Sequence, residues 1–151
     1  MSVIEHQYLH YRNVLYFEMQ FDYEEVESFV KKIDYGLEIL DLSRNGKIVV
    51  AQKSPYIEFF IPVDKKFSSN KHYRYKPEFK LVNAIRSRHC GTLNNIYDTV
   101  TELNDYIQDK NLSTVTSPYI VIQDEENRIY DIYIGTVSYT HLRAHETKAN
   151  L

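Results

Sequence analysis

The sequence predicts an α+β fold made of two tandem β-α-β-β repeats with an antiparallel sheet. Two segments carry apolar residues at helical spacing. The other apolar runs alternate, or are rich in Ile, Val and Tyr, as half-buried strands are. The same order of elements then occurs twice, once on each side of a polar connector.

The first strand covers residues 13–21. Leu15, Phe17, Met19 and Phe21 fall on one face, and Val14, Tyr16, Glu18 and Gln20 on the other. The first helix starts at Asp22. Glu25, three residues on, completes a capping-box pattern that satisfies free N–H groups at a helix start. Val26, Phe29, Val30 and Ile33 form its apolar stripe, and Gly36 is the expected stop. Strands follow over 47–51 and 56–63, bounded by Asn45-Gly46 and Ser54-Pro55. Residues 64–80 are basic and aromatic without periodicity, which predicts a long connector.

The second repeat opens with a strand over 81–89. Its helix begins near Thr92, carries Ile96, Val100, Leu103 and Ile107 as a stripe, and stops at Asn111. Strands over 119–123 and 129–134 complete it, with a turn at 124–127. The halves also match locally. Gly36-Leu37 corresponds to Asn111-Leu112, and Glu58-Phe59-Phe60-Ile61-Pro62 to Asp131-Ile132-Tyr133-Ile134-Gly135. One domain over 1–135 results, with repeat one at about 11–63, the connector at 64–80 and repeat two at about 81–135.

Composition narrows the function. The chain has 151 residues, 43% of them hydrophobic, and a formal charge of −3, the profile of one globular domain. Its single cysteine, Cys90, excludes an intramolecular disulfide and a four-cysteine zinc site. No run approaches the roughly 18 apolar residues of a membrane span, so no membrane association and a cytoplasmic location are expected. The mild acidity gives no reason to expect nucleic-acid binding. Lys65, Lys66, Lys71, His72, Arg74, Lys76 and Lys80, interleaved with Phe67, Tyr73, Tyr75 and Phe79, are read as a solvated linker rather than a single-strand binder. His6 and His10 lack a ligand set, and four glycines provide no phosphate loop, so no metal and no cofactor are expected. Cys90 beside His89 is no nucleophile pair, because successive strand side chains point to opposite faces. Cys90 is expected as a small buried hydrophobe.

Alternation also assigns candidate site residues. In the third strand Ile57, Phe59, Ile61 and Val63 share one face, and Tyr56, Glu58 and Phe60 the other. In the last strand Tyr130, Ile132 and Ile134 oppose Asp131 and Tyr133. Helices should cover the aliphatic faces. Tyr16, Glu18, Tyr56, Glu58, Phe60, Asp131 and Tyr133 then share the opposite side.

The run Arg88-His89-Cys90-Gly91-Thr92-Leu93, with Tyr97 and Leu103 following, resembles the His-x-Gly turn of the GyrI-like (gyrase-inhibitor-like) effector-binding domain. The acidic residues opening each last strand, Glu58 and Asp131, are the second point of resemblance, which covers residues 11–135. The chain departs from the family at Thr92-Leu93, where Pro-Tyr is common, and at Asp131, where Glu is usual. The resemblance implies that the shared side lines a pseudo-twofold groove between the repeats. Carboxylates beside aromatic faces suit an amphipathic cation. A stand-alone, non-catalytic module binding such a small molecule, with Glu58 and Asp131 as counter-charges, is therefore expected. One alternative is a protein-interaction accessory, since a similar branch from low-GC Gram-positive bacteria tends to be encoded near type VII secretion toxins. Another is a small-molecule hydrolase with Glu58 as base and Tyr133 orienting it.

Residues 137–151 read VSYTHLRAHETKANL. This string resembles a transposase sequencing adapter translated in one frame, with Thr136 sharing a codon with it. Native sequence to Gly135 and a non-native tail over 136–151 are expected. Without Arg143, Lys148 and Glu146 the charge becomes −4. His141 and His145 then carry no weight as a metal pair.

Overall fold

The computed structural model describes residues 3–138. The elements run β1 (Ile4–Met19), α1 (Tyr23–Val30), α2 (Ile33–Ile39), β2 (Val49–Lys53), β3 (Tyr56–Pro62) and β4 (Arg74–Cys90). A 3-10 turn (Leu93–Asn95) leads into α3 (Ile96–Asp109), followed by β5 (Leu112–Thr114), β6 (Tyr119–Asp124) and β7 (Ile129–Ser138).

The fold class is the expected one. All strand pairings are antiparallel, in the order β4-β1-β3-β2-β6-β7-β5. β4 also pairs with β7, so six strands close into a ring. In repeat one β3 lies between β1 and β2, and in repeat two β7 lies between β4 and β6. The repeats join through β1–β4 and β2–β6. Each join pairs a strand with its own counterpart, as a twofold axis requires.

Several boundaries differ from expectation, each for a local reason. β1 begins at Ile4 rather than at residue 13. His6 and Asn13 have φ of 60° and 55°, and these kinks reset the side-chain alternation that would have revealed one long strand. The first helix breaks at Lys31–Lys32, and Gly36 falls inside α2. The chain turns instead at Asp41, φ 58°. Asp22 and Glu25 form the capping box as expected, with Glu25 N donating to Asp22 Oδ1 at 2.8 Å. β4 begins at Arg74, so the last seven residues of the expected connector are strand. There it pairs with residues 10–16 of β1, and such an antiparallel pair tolerates polar residues on its wet side. β7 passes Gly135 and pairs with β5 through Ser138. Residues 139–151, most of the expected non-native tail, lie outside the described residues.

Two apolar clusters hold the sheet. Phe59, Ile61, Ile132 and Ile134 pack under Val26, Ile96 and Leu103 of the helices. Val14, Tyr16, Val49, Phe60, Phe79, Val121 and Tyr133 fill the inside of the ring. The faces read from alternation are therefore the observed ones. Each large side chain buried this way contributes about 1.5–3 kcal/mol.

Cys90 corrects an expectation: it is exposed. His89 takes the inward position, and the next strand residue must point out. His89 Nε2 lies 2.8 Å from the Thr92 carbonyl and Nδ1 lies 3.0 Å from Thr99 Oγ1. A carbonyl only accepts, so Nε2 donates and Nδ1 accepts from the Thr99 hydroxyl. The histidine of the His-x-Gly turn thus ties the end of β4 to α3.

Candidate ligand groove

Inside the ring, Glu18 of β1 and Glu58 of β3 stand directly opposite each other. Facing like charges destabilise a sheet. Tyr16 offsets this repulsion: its hydroxyl lies 2.6 Å from Glu18 Oε1 and 2.5 Å from Glu58 Oε2. One phenolic proton serves two carboxylates. Lys53 Nζ adds an ion pair 2.9 Å from Glu18 Oε1. Burial, then the hydrogen bonds to Glu18 and Glu58, push the Tyr16 phenol well above its ordinary value. The Tyr16 hydrogen bond, then that of Lys53, hold Glu18 below the usual carboxylate value.

Aromatic rings pack beside this cluster. Tyr16 packs on Phe60 at 5.0 Å between centroids, Phe60 on Phe79 at 4.8 Å, and Phe79 on Tyr119 at 5.1 Å. Burial raises the Tyr119 phenol, with a smaller push from Glu58. The chain's own cations cover this cluster. Lys76 Nζ lies 4.4 Å from the Tyr16 ring centroid and 5.8 Å from that of Phe60, and the Arg74 guanidinium is 5.4 Å from Tyr16.

Repeat two is arranged otherwise. Asp131 stands where Glu58 does, and the register puts Arg88 opposite it, in the place of Glu18. Arg88 donates from Nε to Oδ1 at 2.9 Å and from Nη2 to Oδ2 at 3.2 Å. Gln123 Nε2 donates to Oδ2 at 2.9 Å, and Arg86 Nη1 lies 3.8 Å away. A fully buried carboxylate is retained because these partners replace its water.

The structure thus brings Tyr16, Glu18, Glu58 and Phe60 into one cluster. Asp131 and Tyr133 lie on β7 and engage Arg88 and Arg86. Tyr56 sits at the exposed start of β3, opposite Lys53. Glu58 takes its phenol hydrogen bond from Tyr16, while Tyr133, paired in the hydrolase reading with Glu58, has its phenol raised by burial and then by Asp131, with Arg86 opposing. Sequence reasoning missed Lys53, Arg74, Lys76, Phe79 and Tyr119. Arg74, Lys76 and Phe79 fell in the presumed connector, where no alternation assigns a face. Among the described residues no group of three or more His, Cys, Asp or Glu is placed to hold a metal, and no helix is long and apolar enough to cross a membrane.

No family model and no curated protein matches the chain. Solved structures do. The C-terminal domain of EcmrR aligns at 14% identity and a TM-score of 0.64, covering 91% of this chain and 96% of that one. EcmrR in a complex with DNA aligns at 13% and 0.66, and the chain spans 57% of it. A protein from Listeria innocua described as a hydrolase aligns at 10% and 0.56, covering 90% of each chain. At these identities the likeness establishes the fold, which is that of GyrI-like domains.

Proposed function

We propose that this is a non-catalytic binding module that holds a small amphipathic cation in the groove between the repeats, at the Tyr16–Glu18–Glu58 cluster. The carrying observation is the pair of facing carboxylates that share one phenol proton beneath the chain's own cations. Lys76 and Arg74 occupy the positions a ligand cation would take. A cation that carries aromatic rings adds ring-to-ring contact that an ammonium lacks, and so displaces them. Asp131 acts in this reading as framework, because Arg88 already neutralises it. The likeness to the EcmrR C-terminal domain supports a ligand-binding fold.

Thermal shift and calorimetry with tetraphenylphosphonium and rhodamine-type cations test the proposal. Wild type should shift upward, Glu58→Ala should lose the shift, and Lys76→Met, freed of the internal competitor, should bind more tightly. Identical responses from wild type and Glu58→Ala refute the site.

A further inference from the structure

We infer a second binding site, on the opposite face of β1, for an aliphatic carboxylate. It stands independently of the groove reading. A recess of about 320 Å³ lies between β1 and the two short helices of repeat one. Leu15, Phe17 and Met19 line it from β1, Leu37 from α2, Leu40 from the end of that helix, and Tyr73 from the segment before β4. Alternation puts Phe17 and Met19 on the face away from Tyr16 and Glu18, so the two sites share a strand but not a surface. The volume is at the small end of natural ligand pockets, and the lining is apolar as theirs is.

The recess exists because the helical layer is unequal in the two repeats. In repeat two, α3 runs unbroken and buries Ile96, Leu103 and Ile107. In repeat one the helix breaks at Lys31–Lys32, and α2 restarts as a separate short helix, with Tyr35 and Ile39 exposed. Gly36 adds a second observation. It lies inside α2 with no left-handed φ, where glycine costs about 1 kcal/mol relative to alanine. A Cβ there would meet nothing within 4 Å. Neither a turn nor crowding requires the glycine, and it lines the recess. Its missing side chain leaves room for a guest.

Charge selects the guest. The lining holds no carboxylate, and its ionisable side chains other than Tyr73 are Lys32 and His72. Among the described residues Lys32 has no ion-pair partner. An apolar chain lying on Phe17 and Met19 with an anionic end at Lys32 satisfies both features. A medium-chain alkyl carboxylate is the simplest molecule that does.

Calorimetry and ligand-observed NMR with decanoate below its micelle concentration provide the test, with decyltrimethylammonium as the cationic control. With the inter-repeat groove saturated by tetraphenylphosphonium, wild type should bind decanoate and not the control. Gly36→Phe should fill the recess and weaken decanoate on the order of tenfold or more without lowering the melting temperature. Lys32→Glu, which leaves the recess intact, should invert the preference toward the cation. Saturating tetraphenylphosphonium should leave decanoate binding unchanged. Competition between the two would put decanoate in the inter-repeat groove and overturn the site. Absence of binding to wild type, or decanoate binding unaffected by either Gly36→Phe or Lys32→Glu, would overturn it equally.

Discussion

Tyr16 is the residue on which the acidic cluster depends. Its hydroxyl is the neutral donor between two carboxylates that face each other across β1 and β3. Tyr16→Phe should cost about 1–3 kcal/mol at neutral pH, the penalty for leaving acceptors unserved. The sign of its pH dependence follows from Glu18. The native pKa of Glu18 is lowered, chiefly by Tyr16, so its stabilisation is present above the unfolded value near 4.5 and is lost as pH falls through the lowered one. The variant should therefore approach wild type in acid, where the carboxyls are protonated, and fall behind as pH rises through the carboxylate range. Urea midpoints of both proteins from acid to neutral pH measure the gap. A gap that does not change with pH would mean the hydroxyl serves packing rather than charge. Alternation placed Tyr16, Glu18, Glu58 and Phe60 on one face from sequence, because period two survives in β1 beyond Asn13. Lys76 was illegible, because nothing in a polar, proline-containing stretch shows that it is a strand.

At the scale of elements, the turn from β4 into α3 is the best-anchored junction. His89 spans it with both ring nitrogens, while Glu27 of α1 accepts from Leu93 N at 2.6 Å and so caps the helical start from the other repeat. His89→Ala should cost roughly 2–4 kcal/mol by chemical denaturation, combining a cavity with an unserved Thr92 carbonyl and Thr99 hydroxyl. Cys90→Ser, one residue on but exposed, should stay within about 0.5 kcal/mol of wild type. Equal losses would mean that the turn is held by its backbone and not by the imidazole. Helix starts and core strands were legible because caps and periods are local signals: Asp22 with Glu25, Ile129 to Ile134. The break at Lys31–Lys32 was not, since Val26, Val30 and Ile33 keep helical spacing across it. The kinks at His6 and Asn13 were hidden for the converse reason: they spoil a spacing while the strand continues.

At the scale of the molecule, the repeated order of elements was readable, but the closure of the ring was not. β4–β7 and β2–β6 join distant segments, and such pairings leave no local pattern. Closure is what sets the two acidic positions in one frame and makes them comparable. In repeat two the acid faces Arg88 and is neutralised; in repeat one it faces Glu18 and shares a proton. One protein thus carries a closed version and an open version of the same site. Glu18→Arg should convert the open version into the closed one, with the introduced guanidinium paired to Glu58 as Arg88 is to Asp131. Lys53 would lose its partner, a small loss for a mostly exposed ammonium. The melting temperature should hold or rise, because a like-charge pair becomes an ion pair. Affinity for tetraphenylphosphonium should vanish although Glu58 is still present, because its charge is then taken. Retained cation binding in Glu18→Arg would show that the acidic pair is not the counter-ion. A collapse in stability would show that the pseudo-twofold does not extend to the side chains, and that repeat one tolerates its facing acids for structural reasons alone.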